Sequence, residues 1–463
     1  MYIKNIFGFK DKKIFIKKKM FIKYLNYLGV YMYYPDDTNY VFVRLDGPII
    51  DLISISKIKK LFFDRLESDY FAHQEKLIEK ALNSVNSLFS KGLLETLPTI
   101  KPKFLKDTKD LGVMFYLDGF LLIKKTGIKP FGYNKLPGHI WKSQIIGHAI
   151  MEQGSIIKNK KSEFEVFIEK VSGGNPERKK ALESIIGYLL HGYKDPSNPK
   201  AVILYDLPSN NDNPEGRRGK GIIVVAIEKF LKITKEYGKL FTTKGNFIFQ
   251  QVDINTMILF FDDVPKEFDM IKLFSVVSEG ISIEKKFQPK FVLNYANSPK
   301  VVITSNYLTK GAGDSYEGRR IEFGLSPYFS AKWTPKDEFE HLLFDDWDSD
   351  EWNRFNVYMT NLLVRYLGTG IISCKNSESA NDRLAGATSV NFSIFCKENI
   401  LIGEEFIIKE LYSRFLSLFS DQEGFSMIKQ HMFTKWLNLY SKYNRLSMST
   451  RESNGKTLVT FAK

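Results

Sequence analysis

Pro214-Glu215-Gly216-Arg217-Arg218-Gly219-Lys220-Gly221 separates an apolar run, Ala-Val-Ile-Leu-Tyr at 201–205, from a helix-like run at 222–233. That order is what a phosphate-cradling loop requires. Glycines let the backbone fold tightly, so that several N–H groups converge on one anion. The following helix turns its positive end toward the same anion, and a lysine adds a full charge for the outer phosphates. Gly216, Arg217, Arg218, Gly219, Lys220 and Gly221 are therefore the candidate nucleotide-binding residues. The usual pattern has glycine where Pro214 stands, and Ser or Thr where Gly221 stands. Ser-Asn-Asn-Asp-Asn-Pro at 209–214 is turn chemistry that delivers the chain into the loop.

Two further runs end in polar residues. Thr-Met-Ile-Leu-Phe-Phe at 256–261 reads as a strand buried on both faces of a parallel sheet, and it ends in Asp262-Asp263. Two carboxylates at the tip of a buried strand need partners. Opposite a phosphate loop they have work to do, since one can hold a hydrated Mg²⁺ and the next can polarise the attacking water. Val-Val-Ile-Thr at 301–304 ends in Ser305-Asn306, whose amide is suited to hold that water or to sense the γ-phosphate. Gly318-Arg319-Arg320 follows, with an arginine pair able to stabilise charge at a phosphoryl group.

The series Gly219-Lys220-Gly221, Asp262-Asp263, Ser305-Asn306 and Arg319-Arg320 resembles the Walker A, Walker B, motif C and arginine-finger series of superfamily 3 helicases, which are viral and plasmid AAA+ motors. Residues 273–290, with Gly280, Lys285, Lys286 and Lys290, are similar to motif B′ of that family. There a glycine-turned hairpin bearing lysines grips single-stranded DNA. The likeness is greatest to the helicase half of primase–helicases from bacteriophages and mobile elements, with poxvirus-type primase–helicases among the wider relatives. It is specific over about residues 180–370 and diffuse elsewhere.

The resemblance implies an ATP-dependent DNA helicase in replication, using ATP and Mg²⁺ and working as a ring, a hexamer, on single-stranded or forked DNA. A separate primase or polymerase is a further partner, and the location implied is the cytoplasm of a bacterial host. Lys220, Asp262, Asp263, Asn306, Arg319 and Arg320 take the catalytic roles, Asp262 and Asp263 the metal, and Lys285, Lys286 and Lys290 the DNA. Gly221 lacks the usual metal-binding hydroxyl, so water or Asp262 completes the metal shell. Asp263 stands where many motors carry Glu. The competing reading is a DNA-binding replication initiator or regulator that uses ATP only to assemble.

Composition agrees with a polyanionic partner. The chain has 463 residues, a net charge of +14 and a pI near 9.3. That length predicts two or three domains. No apolar run approaches the roughly 20 residues of a membrane span, and Lys23 interrupts any signal-peptide core after the basic start. Cys374 and Cys396 are too few for a disulfide framework or a zinc site, and the six histidines have no ligand spacing.

The fold class expected is α/β. An AAA+-like P-loop NTPase core on a mostly parallel sheet, residues 156–370, follows an α+β N-terminal domain, residues 1–155, with accessory, oligomerisation or DNA-binding work. A winged-helix domain, residues 371–463, ends the chain. Residues 1–30 read as a basic, helix-prone stretch with Ile14, Phe15, Phe21 and Leu25 in an irregular amphipathic stripe. Residues 40–45 alternate like a strand, 51–95 carry helical periodicity, and Asp118-Gly119 marks a hairpin. Residues 162–195 read as helical, and 337–352 as a solvated helical face with Trp347 and Trp352 beneath. In 404–463 two helices precede two strands around Ser453-Asn454-Gly455. The first domain lacks paired carboxylates at a strand end, so no primer synthesis is expected of it. Lys220 is expected in solvent, so that its removal would leave the fold intact.

Overall fold

The computed structural model describes residues 3–11, 13–68, 74–150, 160–207, 216–239, 241, 248–266, 268–286, 290–307, 314–373, 384–385, 388–419 and 428–463. Pro214, Glu215, the 209–213 turn and Cys374 lie outside them.

A 3-10 turn at Ile3–Ile6 leads into an antiparallel hairpin of β1 (Phe7–Lys10) and β2 (Lys13–Ile16), followed by α1 (Lys18–Tyr27). This corrects the all-helical expectation for residues 1–30. Asp11 takes φ +47° at the turn, and β-branched Ile14 and Ile16 alternate with Phe15, which suits a strand. Next come β3 (Val30–Tyr33), β4 (Val41–Asp46), β5 (Ile49–Leu52), α2 (Ile55–Ser68), α3 (Gln74–Asn83), α4 (Val85–Leu88), α5 (Lys91–Leu94) and β6 (Thr99–Ile100). β7 (Gly112–Phe115), β8 (Phe120–Lys124) and β9 (Gly127–Phe131) form an antiparallel sheet that turns at Asp118-Gly119, before β10 (Ile140–Trp141). A five-stranded sheet runs β10-β5-β4-β3-β6. Phe21 and Leu25 of α1, Phe62 and Leu66 of α2 and Leu77 of α3 pack with Val30 and Met32 in one apolar cluster.

In the central region, α6 (Glu163–Val171) and α7 (Pro176–Leu190) are capped by Ser162 and Asn175. Gly173 and Gly174, at φ +71° and +68°, break the helical reading between them. Then come β11 (Ala201–Asp206), α8 (Lys220–Glu228), β12 (Ile233–Tyr237), β13 (Ile258–Val264), α9 (Phe274–Ser278), β14 (Gly280–Ile283), β15 (Phe291–Asn294), β16 (Lys300–Ser305), α10 (Asp314–Glu317), β17 (Arg320–Leu325), α11 (Pro335–Phe339) and α12 (Ser349–Thr369). The helix after the loop ends at Glu228, not at 233. Ile233 and Thr234 instead pair with Ile258 and Leu259, because a β-branched run fits the open edge beside β13. The expected helical face over 337–352 is also corrected. Glu340 and Phe344 take positive φ, and Asp348 caps a new helix by accepting from the Glu351 N–H.

Five parallel strands form the sheet β12-β13-β16-β11-β17. All six residues of β11 and of β16 are buried, as strands covered on both faces must be. Helices α6, α7, α8 and α12 cover one face. Their apolar cluster also takes in Met114, Leu121 and Ile123 from the β7-β8-β9 sheet. The last segment runs helix Val390–Asn399, β18 (Glu405–Ile407), helices Ile408–Phe419 and Gln430–Tyr443, then β19 (Ser447–Ser453) and β20 (Lys456–Ala462). Asn454 and Gly455, at φ +51° and +70°, make the tight turn between the last two strands. β18 pairs with β20 on its other side.

Candidate nucleotide site

The order of strands switches at β11: β16 lies on one side of it and β17 on the other, while β13 and β12 lie beyond β16. In open parallel sheets such a switch leaves a crevice at the carboxyl ends of the strands, where ligands bind. The loop after β11 opens there. Gly216, Arg217 and Gly219 hold φ of +67°, +58° and +97°. Gly219 is the N-cap of the nine-residue α8 and offers no side-chain cap. The first N–H groups of α8 are thus left for an anion. No side chain fits at Gly219, because a Cβ there would stand 2.6 Å from the Phe167 ring of α6.

Lys220, the first residue of α8, is buried rather than solvent-exposed, which corrects the expectation. Its Nζ lies 2.5 Å from Asp206 Oδ2, at the tip of β11, and donates to Asn306 Oδ1 at 2.9 Å, just past β16. Burial pulls the Lys220 pKa below the usual lysine range against the attraction of Asp206, and burial raises that of Asp206. Removing Lys220 alone would leave a buried carboxylate without its cation, a change that destabilises folded proteins by about 3–5 kcal/mol.

Asp262 and Asp263 sit in a bulge. The β13–β16 register slips between Phe261 and Val264, and Asp263 takes φ +53°. Bulges re-aim side chains beside functional sites, and this one brings both carboxylates to the crevice. Thr304 Oγ1 donates to Asp262 Oδ1 at 2.9 Å and accepts from the Asp263 N–H at 3.0 Å. Asn306 Nδ2 donates to Asp263 Oδ1 at 3.2 Å. Lys235 and Lys239 take the outer oxygens of Asp262 and Asp263 at 2.6 and 2.5 Å. The Lys239 pKa is raised by its hydrogen bond to Asp263. Arg218 donates to the Phe329 carbonyl at 2.7 Å, so it braces the loop. A Cβ on Gly221 would meet nothing within 4 Å.

Lys220, Asp262, Asp263 and Asn306 therefore converge. Asp206, Thr304, Lys235 and Lys239 join them, and sequence reasoning misses all four. The argument used for Asp262, a charge at the tip of a buried strand, would have found Asp206. Among the described residues no group of three or more His, Cys, Asp or Glu could hold a metal. A Mg²⁺ bound through one or two carboxylates and substrate phosphates does not require such a group, and the Asp262–Asp263 pair fits that donor set.

Arg319 and Arg320 are elsewhere. Arg320 pairs with Ala201 at the start of β11, so both arginines lie at the opposite edge of the sheet. The length of β11, about 17 Å, separates them from the phosphate loop. Arg320 is buried beside Glu322 at 3.3 Å. Arg319 is half-exposed, donates to Ser278 Oγ at 2.8 Å and lies over the Phe274 ring. The lysines of 285–290 flank the antiparallel β14–β15 pair. Lys285 is held by Asp253 at 2.5 Å, Lys286 and Lys290 are exposed, and the Lys290 carbonyl accepts from Asn39 of the first region.

No family model matches the chain, and no curated protein matches it. Solved structures similar to it include the apo C-terminal region of NrS-1, at 12% identity over 96% of this chain and 99% of that one, with a TM-score of 0.40. They also include JCV helicase bound to an acetamide compound, at 12% identity over 51% of this chain and 64% of that one, with a TM-score of 0.27. Likenesses of this size leave the assignment to the geometry of the site. No described helix is long and apolar enough to cross a membrane.

Proposed function

We propose that the chain hydrolyses ATP with Mg²⁺ as the motor of a superfamily 3 type DNA helicase acting in replication of a phage or mobile element. The observation that carries this reading is the meeting of Lys220, Asp206, Asn306 and the Asp262–Asp263 bulge at the carboxyl edge of a parallel sheet, beside an uncapped helix N-terminus. The α8 N–H groups and Lys220 bind the phosphates. Asp262 would hold Mg²⁺ without help from position 221, where Gly221 has no hydroxyl, and the ion would neutralise charge on the phosphates. Asp263 and Asn306 orient the attacking water. Asp206 keeps the Lys220 ammonium aimed until phosphate takes its place.

Arg319 acts on the nucleotide of a neighbouring subunit, which makes a ring, a hexamer, the working form. Its distance from the phosphate loop of its own chain supports this. Lys286 and Lys290 contact single-stranded or forked DNA on the β14–β15 pair, with Lys285 joining if it leaves Asp253. Residues 1–155 serve as an accessory domain and 156–370 as the motor. The helix–strand–helix–helix–hairpin order among the described residues of 388–463 supports a winged helix in 371–463. The site of action is a bacterial host cytoplasm, with a separate primase or polymerase as a further partner.

The test is single-strand-stimulated ATPase activity of the native chain, of Asp206→Asn, and of Lys220→Ala combined with Asp206→Asn, the last change keeping a lone carboxylate out of the core. Equal activity in all three would sink the motor reading. Gly221, without its hydroxyl, favours a second reading in which ATP only assembles a DNA-binding initiator; ATP-dependent assembly without strand displacement on a fork would select it.

A further inference from the structure

The β1–β2 hairpin has no part in the site above, and its chemistry is unusual. Its register pairs Phe7 with Ile16, Gly8 with Phe15, Phe9 with Ile14, and Lys10 with Lys13. Alternation gives two faces. Phe7 is buried in the first region's apolar cluster, with Ile14 and Ile16 packed against it. The other face carries Gly8, Phe15, Lys10 and Lys13. There the Phe15 ring fills the space a side chain at Gly8 would need, yet remains 44% exposed. Phe9 extends past the cluster and is 64% exposed.

Lys10 and Lys13 share the face of Phe15, and more lysines follow in the chain. Residues 3–23 hold eight lysines against one acid, Asp11. Lys10, Lys13, Lys17, Lys18 and Lys19 are exposed, and no carboxylate among the described residues pairs with them. An aromatic ring seated on a glycine costs little entropy to present, because its position is already fixed. Rings among unpaired cations match a strand of phosphates whose bases are unstacked. An anionic membrane would need apolar area to insert, and the aliphatic side chains of this hairpin are turned into the cluster instead.

We propose that the β1–β2 hairpin is a second contact for single-stranded DNA, outside the motor, in which Phe15 stacks on a base and Lys10, Lys13 and the 17–19 lysines hold phosphates. It rests on the nucleic-acid reading only for the choice of ligand, and it needs neither ATP nor a working motor.

The experiment is fluorescence anisotropy of the full chain with a labelled dT20 oligonucleotide, without nucleotide, in a salt series. Phe15→Ser is expected to weaken binding about tenfold and Phe15→Trp to restore it. Lys10→Gln with Lys13→Gln should reduce the log–log salt slope by about 1.4. DNA-independent ATPase activity and the melting temperature should not change in any of the three, so failure of the motor reading would be seen separately. Three results overturn the proposal: unchanged dT20 affinity in Phe15→Ser, an equal loss for a blunt duplex of the same length, or binding to phosphatidylserine vesicles without binding to dT20.

Discussion

The two edges of the central parallel sheet are built from the same residue types and treat them in opposite ways. At the carboxyl edge, Asp206, Asp262 and Asp263 are met by lysines from the start of α8, the edge strand and the turn after it, Lys220, Lys235 and Lys239, with the last two exposed. At the amino edge, Lys300 is fully enclosed. Its Nζ donates to the Tyr188 and His191 carbonyls, both at 2.5 Å, over the Tyr188 ring, with Asp107 nearby. Asp107 in turn accepts from the Gly192 and Val113 N–H groups at 2.6 and 2.9 Å. Charges at the first edge have partners that a phosphate or a cation can replace. Charges at the second have partners fixed by backbone. One edge is arranged for exchange, the other for permanence.

That contrast is most exposed to test at Lys220. Lys220→Ala in the Asp206→Asn background is expected to lower ATP hydrolysis by about 10³-fold or more while melting near the native temperature, since charge stabilisation of phosphoryl transfer is of that size. A loss of stability without a specific loss of rate would make the carboxyl edge as structural as the other. Arg319→Ala comes next, with about 10³-fold expected. Mixing it with the Lys220 variant should restore part of the rate, because each then supplies what the other lacks. Failure of mixing to restore any activity would refute action across subunits.

Lys300 tests the sealed edge. Burial pulls its pKa down to about 7, against the attraction of Asp107. The unfolded chain then holds a proton that the folded chain has released between pH 7 and about 10. Stability should therefore rise with pH across that window, by up to about 1.4 kcal/mol per pH unit. Lys300→Met should remove this slope in urea midpoints taken from pH 7 to 10, with no change in KM for ATP; an unchanged slope would mean the ammonium is not held as the structure has it. The smallest effect is expected at Gly221→Thr. The site has room for the side chain, and the added hydroxyl should lower the Mg²⁺ concentration for half-maximal hydrolysis severalfold. A higher requirement would show that water already fills that place better.

Much of the carboxyl edge is legible in the sequence because the strand runs at 201–205, 256–261 and 301–304 are continuous and end abruptly in polar residues. Burial on both faces writes itself into sequence as an unbroken apolar stretch. The Asp262–Asp263 bulge is not legible, since a bulge depends on the register of the partner strand. Lys220 reads as exposed because nothing in the loop signals that Asp206 lies beneath it. The short β12 merges with the preceding helix, and the β1–β2 hairpin with a basic helix. Their strands are four or five residues long, too short for a period to declare itself, and they owe their form to a neighbouring strand.

The contact between Gly219 and Phe167 has a mechanical consequence. The Phe167 ring is wedged between the phosphate loop and the Phe329 ring, whose centroid is 5.5 Å away, and Arg218 grips the Phe329 carbonyl from the loop itself. Loop, α6 and the turn after β17 thus form a closed linkage. A side chain at Gly219 would run into that ring, so the linkage leaves the loop no room on the side of α6. Glu163, at the head of α6, is tied to Trp347 and His341 at 2.7 and 2.8 Å, which joins the same linkage to the approach to α12. The glycine that lets the loop close is also the point at which the loop rests on α6.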